Sequence, residues 1–298
     1  MGLKMREAKD KNGRWITPKE INPVSPLKCA CGAQVLRVKG HVKSNHSVSV
    51  RAFFRLSQGK KHREDCPYNI TAQIEIIARN SEGWIKKSEK GKWTFRLLLN
   101  KDPSAPGITQ PGKNSSEVGS GNVGTTYQKK EGEKLDPYIH TAQRVLKLRR
   151  RCESQAEMAK ELVLNFEGEE ISWSDFYFER GNYQNCYNRL KKKTGMPIAI
   201  HGKVQSIKDI IDKNGRPLKV LNLEPLRKEK EEFTLYTQPA IWSSDLKFFD
   251  NYKEGQEIIT FGFWESLEEK KDSEKKTIYQ NMRLWPTLHS QIFKEEKE

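Results

Sequence analysis

Apolar positions change period repeatedly along the chain, and each change marks a new element. Residues 33–39 alternate through Val35, Leu36 and Val38, and residues 47–56 alternate more clearly through Val48, Val50 and Phe53. Polar residues 40–46 lie between them, so the pattern predicts strand, loop, strand. Residues 71–80 place Ala72, Ile76, Ile77 and Ala78 at helical intervals and run into Asn80-Ser81-Glu82-Gly83, a helix and its stop. A second hairpin is expected over 83–100, turning at Glu89-Lys90-Gly91, with Trp84, Trp93, Phe95, Leu97 and Leu99 on its apolar face.

Helical spacing resumes at Asp136-Pro137, a cap followed by Pro at the first helical position, and continues through Ile139, Ala142, Val145 and Leu146. Ser154-Gln155-Ala156-Glu157 matches a capping box and predicts a helix to about residue 165. Residues 171–178 are rich in aromatics, and residues 183–193 read as a short helix. From Met196 the period returns to two. Strands are expected at 197–211, 218–223, 232–236, 255–264 and 277–285, with a short amphipathic helix at 242–251 and a charged loop at 267–276.

Residues 101–134 are dominated by Pro, Gly, Ser and Asn and hold almost no large apolar side chain. Such a segment cannot repay its ordering entropy, which predicts a flexible linker. The expected organisation is a polar arm (1–26), a hairpin module (27–100), the linker (101–134), a helical segment (135–195) and a small barrel (196–298).

Charge sharpens this division. The net charge is +15, of which residues 1–100 carry +13, and residues 201–298 sum to −1. A basic surface of this kind most often meets phosphate backbones, because each neutralised phosphate releases a counter-ion. Arg37, Lys39, Lys43, Arg51, Arg55, Lys60, Lys61 and Arg63 are the expected contacts. The basic runs 147–151 and 191–193 either extend a groove or form solvated helix faces. No run approaches the roughly 18 apolar residues of a membrane helix, and the first residues lack the apolar core of a signal peptide. Arg6 stands where a myristoylation motif needs Ser or Thr, so a cytoplasmic protein with no membrane partner is expected.

The cysteines bring in chemistry. Cys29 and Cys31 form a tight pair, and His62 and Cys66 form another beyond the predicted hairpin. In a reducing compartment two such pairs indicate a metal more often than a disulfide. A Cys3His set suits structural Zn2+, whose binding can supply folding free energy to a module with little core of its own. His41 or His46 can take the place of His62, and a redox pair is an alternative, although redox motifs usually separate their cysteines by two residues. Cys152 and Cys186 stand alone in helical patterns and read as small buried apolar residues.

Cys29-x-Cys31-Gly32, then Ala52-Phe53-Phe54-Arg55, then His62-x-x-x-Cys66 resembles the N-terminal zinc ribbon of competence-protein CoiA-like bacterial proteins. That resemblance implies metal binding and a DNA-related setting, in a bacterium or phage. The acidic residues of the nuclease-like domain those proteins carry are not traceable here, so it implies no cleavage. Ile200-His201-Gly202-Lys203-Val204 resembles a first OB-fold strand, where Gly permits sharp coiling, and residues 252–264 resemble the fourth. The OB resemblance implies a five-stranded Greek-key barrel that commonly binds single strands. Lys203, Lys208, Lys219, Phe263, Trp264, Tyr279, Arg283 and Trp285 are its candidate contacts, Lys203 and Trp264 foremost.

No nucleophile elbow, phosphate-binding glycine loop, H-E-x-x-H or deaminase signature is present. His41 and His46 beside a metal site hint at a metal-dependent nuclease, but the following helix offers only Glu75 as a further ligand. The fold class expected is α+β: a zinc-stapled β-hairpin module, a flexible linker, short helices and an OB-like barrel. The function expected is a nucleic-acid-binding accessory protein rather than an enzyme, with DNA preferred to RNA as partner and a single strand on the barrel. A scaffold whose barrel docks a protein partner is the alternative.

Overall fold

The computed structural model describes residues 3–294 apart from 21–22, 43–48, 89–90, 98, 100–136, 154 and 231. The expected linker therefore lies outside the described residues, as do the two predicted cap residues Asp136 and Ser154, Lys43 and His46.

The N-terminal stretch contributes β1 (Ala8–Lys9), β2 (Trp15–Ile16), β3 (Leu27–Lys28) and β4 (Gln34–Val38). The short pair β5 (His41–Val42) and β6 (Ser49–Val50) follows, then β7 (Phe53–Leu56). The strands order β2-β1-β3-β4-β7, all antiparallel. Register aligns Leu27, Val35 and Leu56 on one buried face, with Ala8 and Ile16 beside them. Residues 1–26 are thus not merely a polar arm. Leu3 and Met5 are fully buried, and Met5 bridges Phe54. Strands β1, β2 and β3 are two residues long, too short for a period to register in sequence.

Helix α1 (Ile70–Arg79) is capped by Asn69, whose Oδ1 accepts from the Thr71 and Ala72 amides at 3.0 and 3.4 Å. The hairpin β8 (Ile85–Lys87) and β9 (Trp93–Leu97) follows. After residue 136 come α2 (Pro137–Arg151), α3 (Gln155–Glu161), β10 (Leu162–Phe166), β11 (Glu169–Ile171), α4 (Trp173–Phe176), β12 (Tyr177–Glu179) and α5 (Tyr183–Lys192). Two expectations change here. The helix predicted to reach about residue 165 stops at Glu161, because Leu162, Leu164 and Phe166 alternate with half-buried residues and form a strand. That strand pairs in parallel with β9, Leu164 opposite Phe95, in the sheet β11-β10-β9-β8. Residues on either side of 101–134 therefore share one sheet and one core, where a tether between independent units was expected.

The last strands are β13 (Pro197–Ile211), β14 (Pro217–Leu223), β15 (Leu226–Glu229), β16 (Thr234–Ser243), β17 (Glu257–Ser266), β18 (Lys270–Asp272), β19 (Thr277–Leu284) and β20 (Ile292–Lys294). Five of them pair in a closed circuit: β13 with β14, β14 with β16, β16 with β19, β19 with β17, and β17 back to β13. Only the pairing of β16 with β19 is parallel within it. The helix expected over 242–251 is replaced by the end of β16 and a series of turns, although Phe248, Phe249 and Tyr252 are buried there. Helix α5 packs against β16, β17 and β19 instead, burying Tyr183, Cys186, Tyr187 and Leu190 among the strands.

The run 147–151 is neither groove nor solvated face throughout. Arg149 is 4% exposed and donates from Nη2 to Glu179 Oε1 at 2.6 Å, and Arg150 pairs with Glu257. Both carboxylates come from strands of the C-terminal part, so the run joins α2 to those strands.

Gly202 permits a close approach rather than an unusual dihedral. A Cβ there would lie 2.2 Å from the Tyr183 hydroxyl and 3.1 Å from Leu223. Gly202→Ala is expected to lower stability by about 1–3 kcal/mol in denaturant melts. A loss under about 0.5 kcal/mol would show that Tyr183 moves aside freely.

Candidate metal centre and aromatic face

The sequence builds the first half of the centre as a tight turn. The Gly32 amide donates to the Cys29 carbonyl at 2.8 Å and the Cys29 amide to the Ala33 carbonyl at 2.8 Å. Gly32 adopts φ +85°, a conformation that favours glycine, and this lets a single residue separate two ligand cysteines. The second half ends a turn in which the Cys66 amide donates to the Arg63 carbonyl. The next turn delivers Asn69 to cap α1.

One donor atom from each of Cys29, Cys31, His62 and Cys66 lies within 4.8 Å of the others. Cys29 Sγ is 3.7 Å from Cys66 Sγ, and His62 Nδ1 is 3.4 Å from both Cys31 Sγ and Cys66 Sγ. Ligands on a tetrahedral zinc ion would be separated by about 3.8 Å between sulfurs and about 3.6 Å between sulfur and nitrogen. The residues therefore fit a four-coordinate metal ion, and His62 completes the set. Burial pushes the Cys29 thiol up to about 12 and raises Cys66 as well. Burial also opposes the Cys31 thiolate, but the backbone amides of Arg63 and Ala33 outweigh it and the pKa falls. Burial lowers His62, which keeps its imidazole neutral. A bound cation is what would favour all three thiolates together. Among the described residues this is the one such cluster, and Glu75 lies outside it, paired with Arg79 at 2.8 Å.

The predicted basic contacts divide. Arg51, Lys60 and Lys61 are exposed, as is Lys39 just past β4. Arg63 is exposed but pairs with Asp65 at 3.2 Å, and Arg55 pairs with Glu153 at 3.0 Å. Arg37 is half-buried, because its position on β4 faces inward, and its Nε donates to the Pro18 carbonyl at 2.7 Å. Sequence reasoning missed the outward face of this sheet. Lys9, Lys28, Gln34 and Leu36 share it with Arg55, and Lys9 Nζ stands 5.0 Å from the ring centre of Trp15, which is 47% exposed.

In the strand circuit, Trp264 is 2% exposed and belongs to the interior beside Met282 and Leu284. It is not a surface contact, because its position on β17 points inward. Lys203 is half-buried and pairs with Glu224 at 3.3 Å. Phe263 packs on Phe166, and Lys219 pairs with Asp250. Tyr279, Arg283 and Trp285 do reach the surface, together with Tyr236 and Trp242, which the alternation in β16 would have marked. Parallel register sets Tyr236 beside Tyr279, their rings stacked at 5.7 Å and 24°. Further along the same face, Trp242 and Trp285 lie 5.8 Å apart, and the Arg283 guanidinium sits 5.3 and 5.8 Å from their centres. Glu265 holds Arg283 at 2.8 Å, and Gln238, Asn281 and Asn222 lie between the aromatic pairs. The row runs about 20 Å along the strands. The turn at 212–216 and the charged segment 267–276 flank the circuit.

No protein-family model matches the chain, the CoiA-like resemblance of its N-terminal region included, and no curated protein matches it in sequence. Among solved structures, it is similar to the Plasmodium falciparum SSB in complex with ssDNA at 13% identity and TM-score 0.24, covering 35% of this chain and 97% of that one. A single-stranded DNA-binding protein from Thermus aquaticus gives 19% identity and TM-score 0.23, covering 35% of this chain and 52% of that one. A small single-stranded DNA-binding protein from Streptomyces coelicolor gives 13%, TM-score 0.22, and coverage of 34% and 94%. Among the described residues no helix is long and apolar enough to cross a membrane.

Stripping the metal with a chelator is expected to destabilise the chain by at least about 3 kcal/mol. Cys66→Ala is expected to purify without the bound ion, as read by elemental analysis. Full stability in the chelated protein would mean that the four side chains hold together without a cation.

Proposed function

We propose that the protein binds single-stranded nucleic acid, DNA by preference, through two surfaces of different character. The strand circuit is read as an OB-type barrel, since first-to-second, first-to-fourth and third-to-fifth pairings are those of that fold. The observation that carries the reading is the row of two aromatic pairs on the outward face of β16 and β19, with Arg283 set against the tryptophan pair. Bases stack on such rings with little regard to sequence, and a guanidinium between two indoles adds a cationic edge. The flanking segments 212–216 and 267–276 correspond to the loops that line oligonucleotide sites in OB-folds.

The N-terminal sheet supplies the phosphate grip. Its outward face carries Lys9 and Lys28 beside Trp15, and the turn before His62 adds the exposed Lys60 and Lys61. The ion at the four ligands is read as structural Zn2+, because three thiolates and one imidazole leave no open position for substrate. It would hold that turn against β3 and β4 and take no part in chemistry. A protein partner on the aromatic face is the second reading, favoured by the near-neutral charge of residues 201–298.

Titration of labelled oligothymidylate against salt tests both surfaces. Tyr279→Ala and Trp285→Ala are each expected to cost about 1–3 kcal/mol of binding with little change in salt slope. Replacing Lys60 and Lys61 by Ala is expected to flatten the slope by about one unit for each phosphate that is no longer neutralised. An aromatic double variant that binds oligothymidylate like the parent would remove the barrel from the reading and leave the protein-docking alternative.

A further inference from the structure

A cleft lies between α5 and the opposing β11 and α4, and it shares no lining residue with either surface. Its volume is about 440 Å³, and its α5 wall carries Asn185, Asn188, Arg189 and Lys192, faced by Glu170 and Asp175. These four α5 positions recur at helical intervals and form one side of the helix, while Tyr183, Cys186, Tyr187 and Leu190 pack into the strand core on the other.

Arg189 is the unusual member. Its Nη1 is buried with no hydrogen-bond partner, and among the described residues its side chain makes neither a hydrogen bond nor an ion pair. Burial pushes its pKa down, against the opposing pull of the Asp175 carboxylate, which is too far away for an ion pair. Desolvating a guanidinium is costly, and among the described residues neither an ion pair nor a hydrogen bond to the Arg189 side chain offsets it. Other half-buried arginines are satisfied: Arg150 and Arg180 each meet a carboxylate, and Arg37 donates to a carbonyl.

We propose that this cleft binds a small phosphate monoester, with its phosphate on Arg189 and Lys192 and its hydroxyl or amino groups on Glu170 and Asp175. The planar guanidinium fork matches phosphate oxygens, and Lys192 adds a second charge one turn on. The two carboxylates opposite exclude a second phosphate and select a ligand end that donates hydrogen bonds. Ile171 and Met196 give the cleft an apolar floor, and its volume suits a small ligand. No residue of the aromatic row lines it, so this site stands apart from strand binding.

Calorimetric titration of the full chain with AMP, adenosine and inorganic phosphate tests the assignment. AMP is expected to saturate one site, inorganic phosphate to compete with it, and adenosine to show no measurable binding. Arg189→Met is expected to weaken AMP by about tenfold or more. Asn188→Asp sits at an exposed position, so it keeps the fold, and its added negative charge is expected to weaken AMP similarly. Both variants should bind oligothymidylate like the parent. No saturable binding of AMP or phosphate in the millimolar range overturns the proposal, and so does AMP binding that survives both substitutions.

Discussion

Strand β13 has to serve two partners at once, and the C-terminal half of the molecule depends on how it does so. Its residues 197–203 pair with β17, and its residues from Val204 on pair with β14. The exchange falls at an irregularity between Val204 and Ser206, where an extra residue bends the strand and lets it turn from one neighbour to the other. Gly202 stands just before the bend, and the space a side chain would need is taken by Tyr183, whose hydroxyl donates to the His201 carbonyl at 2.9 Å. Helix α5 is seated by that bond. Closure of the circuit, the position of α5 and the placing of the aromatic row on β16 and β19 therefore follow from one coiled strand.

The same strand carries the fold inward. Strand β12 adds to its edge in parallel, Tyr177 opposite Ala199, and brings Glu179 to Arg149. His201 lies 3.5 Å from Glu257, the carboxylate that pairs with Arg150, and burial holds the imidazole below its ordinary pKa. Around these ion pairs the aromatic core is continuous, with Tyr138 against Phe95 and Phe261, and Phe261 against Phe293. Helix α1 enters that core through Ile70, Ile74 and Ile77, and its cap residue follows three positions after Cys66. A metal ion at the four ligands would thus fix the start of a helix whose apolar face is buried in the common interior.

Local chemistry was legible in the sequence, and long-range pairing was not. The ligands Cys29, Cys31, His62 and Cys66 followed from residue type and spacing, and the structure brings them together. The strands of the circuit followed from alternation, because each is long enough to show a period. The strands at 8–9, 15–16 and 27–28 are two residues each and leave no period to read. Trp264 was misplaced because alternation gives two faces without saying which is inside, and its inward neighbours Met282 and Leu284 come from another strand. Tyr236 and Trp242 share one face of β16 by simple parity. The expected helix over 242–251 obscured the second of them.

The parallel pairing of β9 with β10 also sets an order of events during synthesis. Strand β9 ends at Leu97, and its partner begins at Leu162. A ribosome therefore releases Trp93, Phe95 and Leu97 well before the strand that covers them exists, since chains emerge from the N-terminus at a finite rate. The hairpin β8 and β9 must wait with its apolar face and one edge open. The ligand cluster spans residues 29–66, so all four donors have emerged before β9 begins at Trp93. Metal capture can precede completion of the core, giving the nascent chain one fixed point while the rest of its interior is still being made.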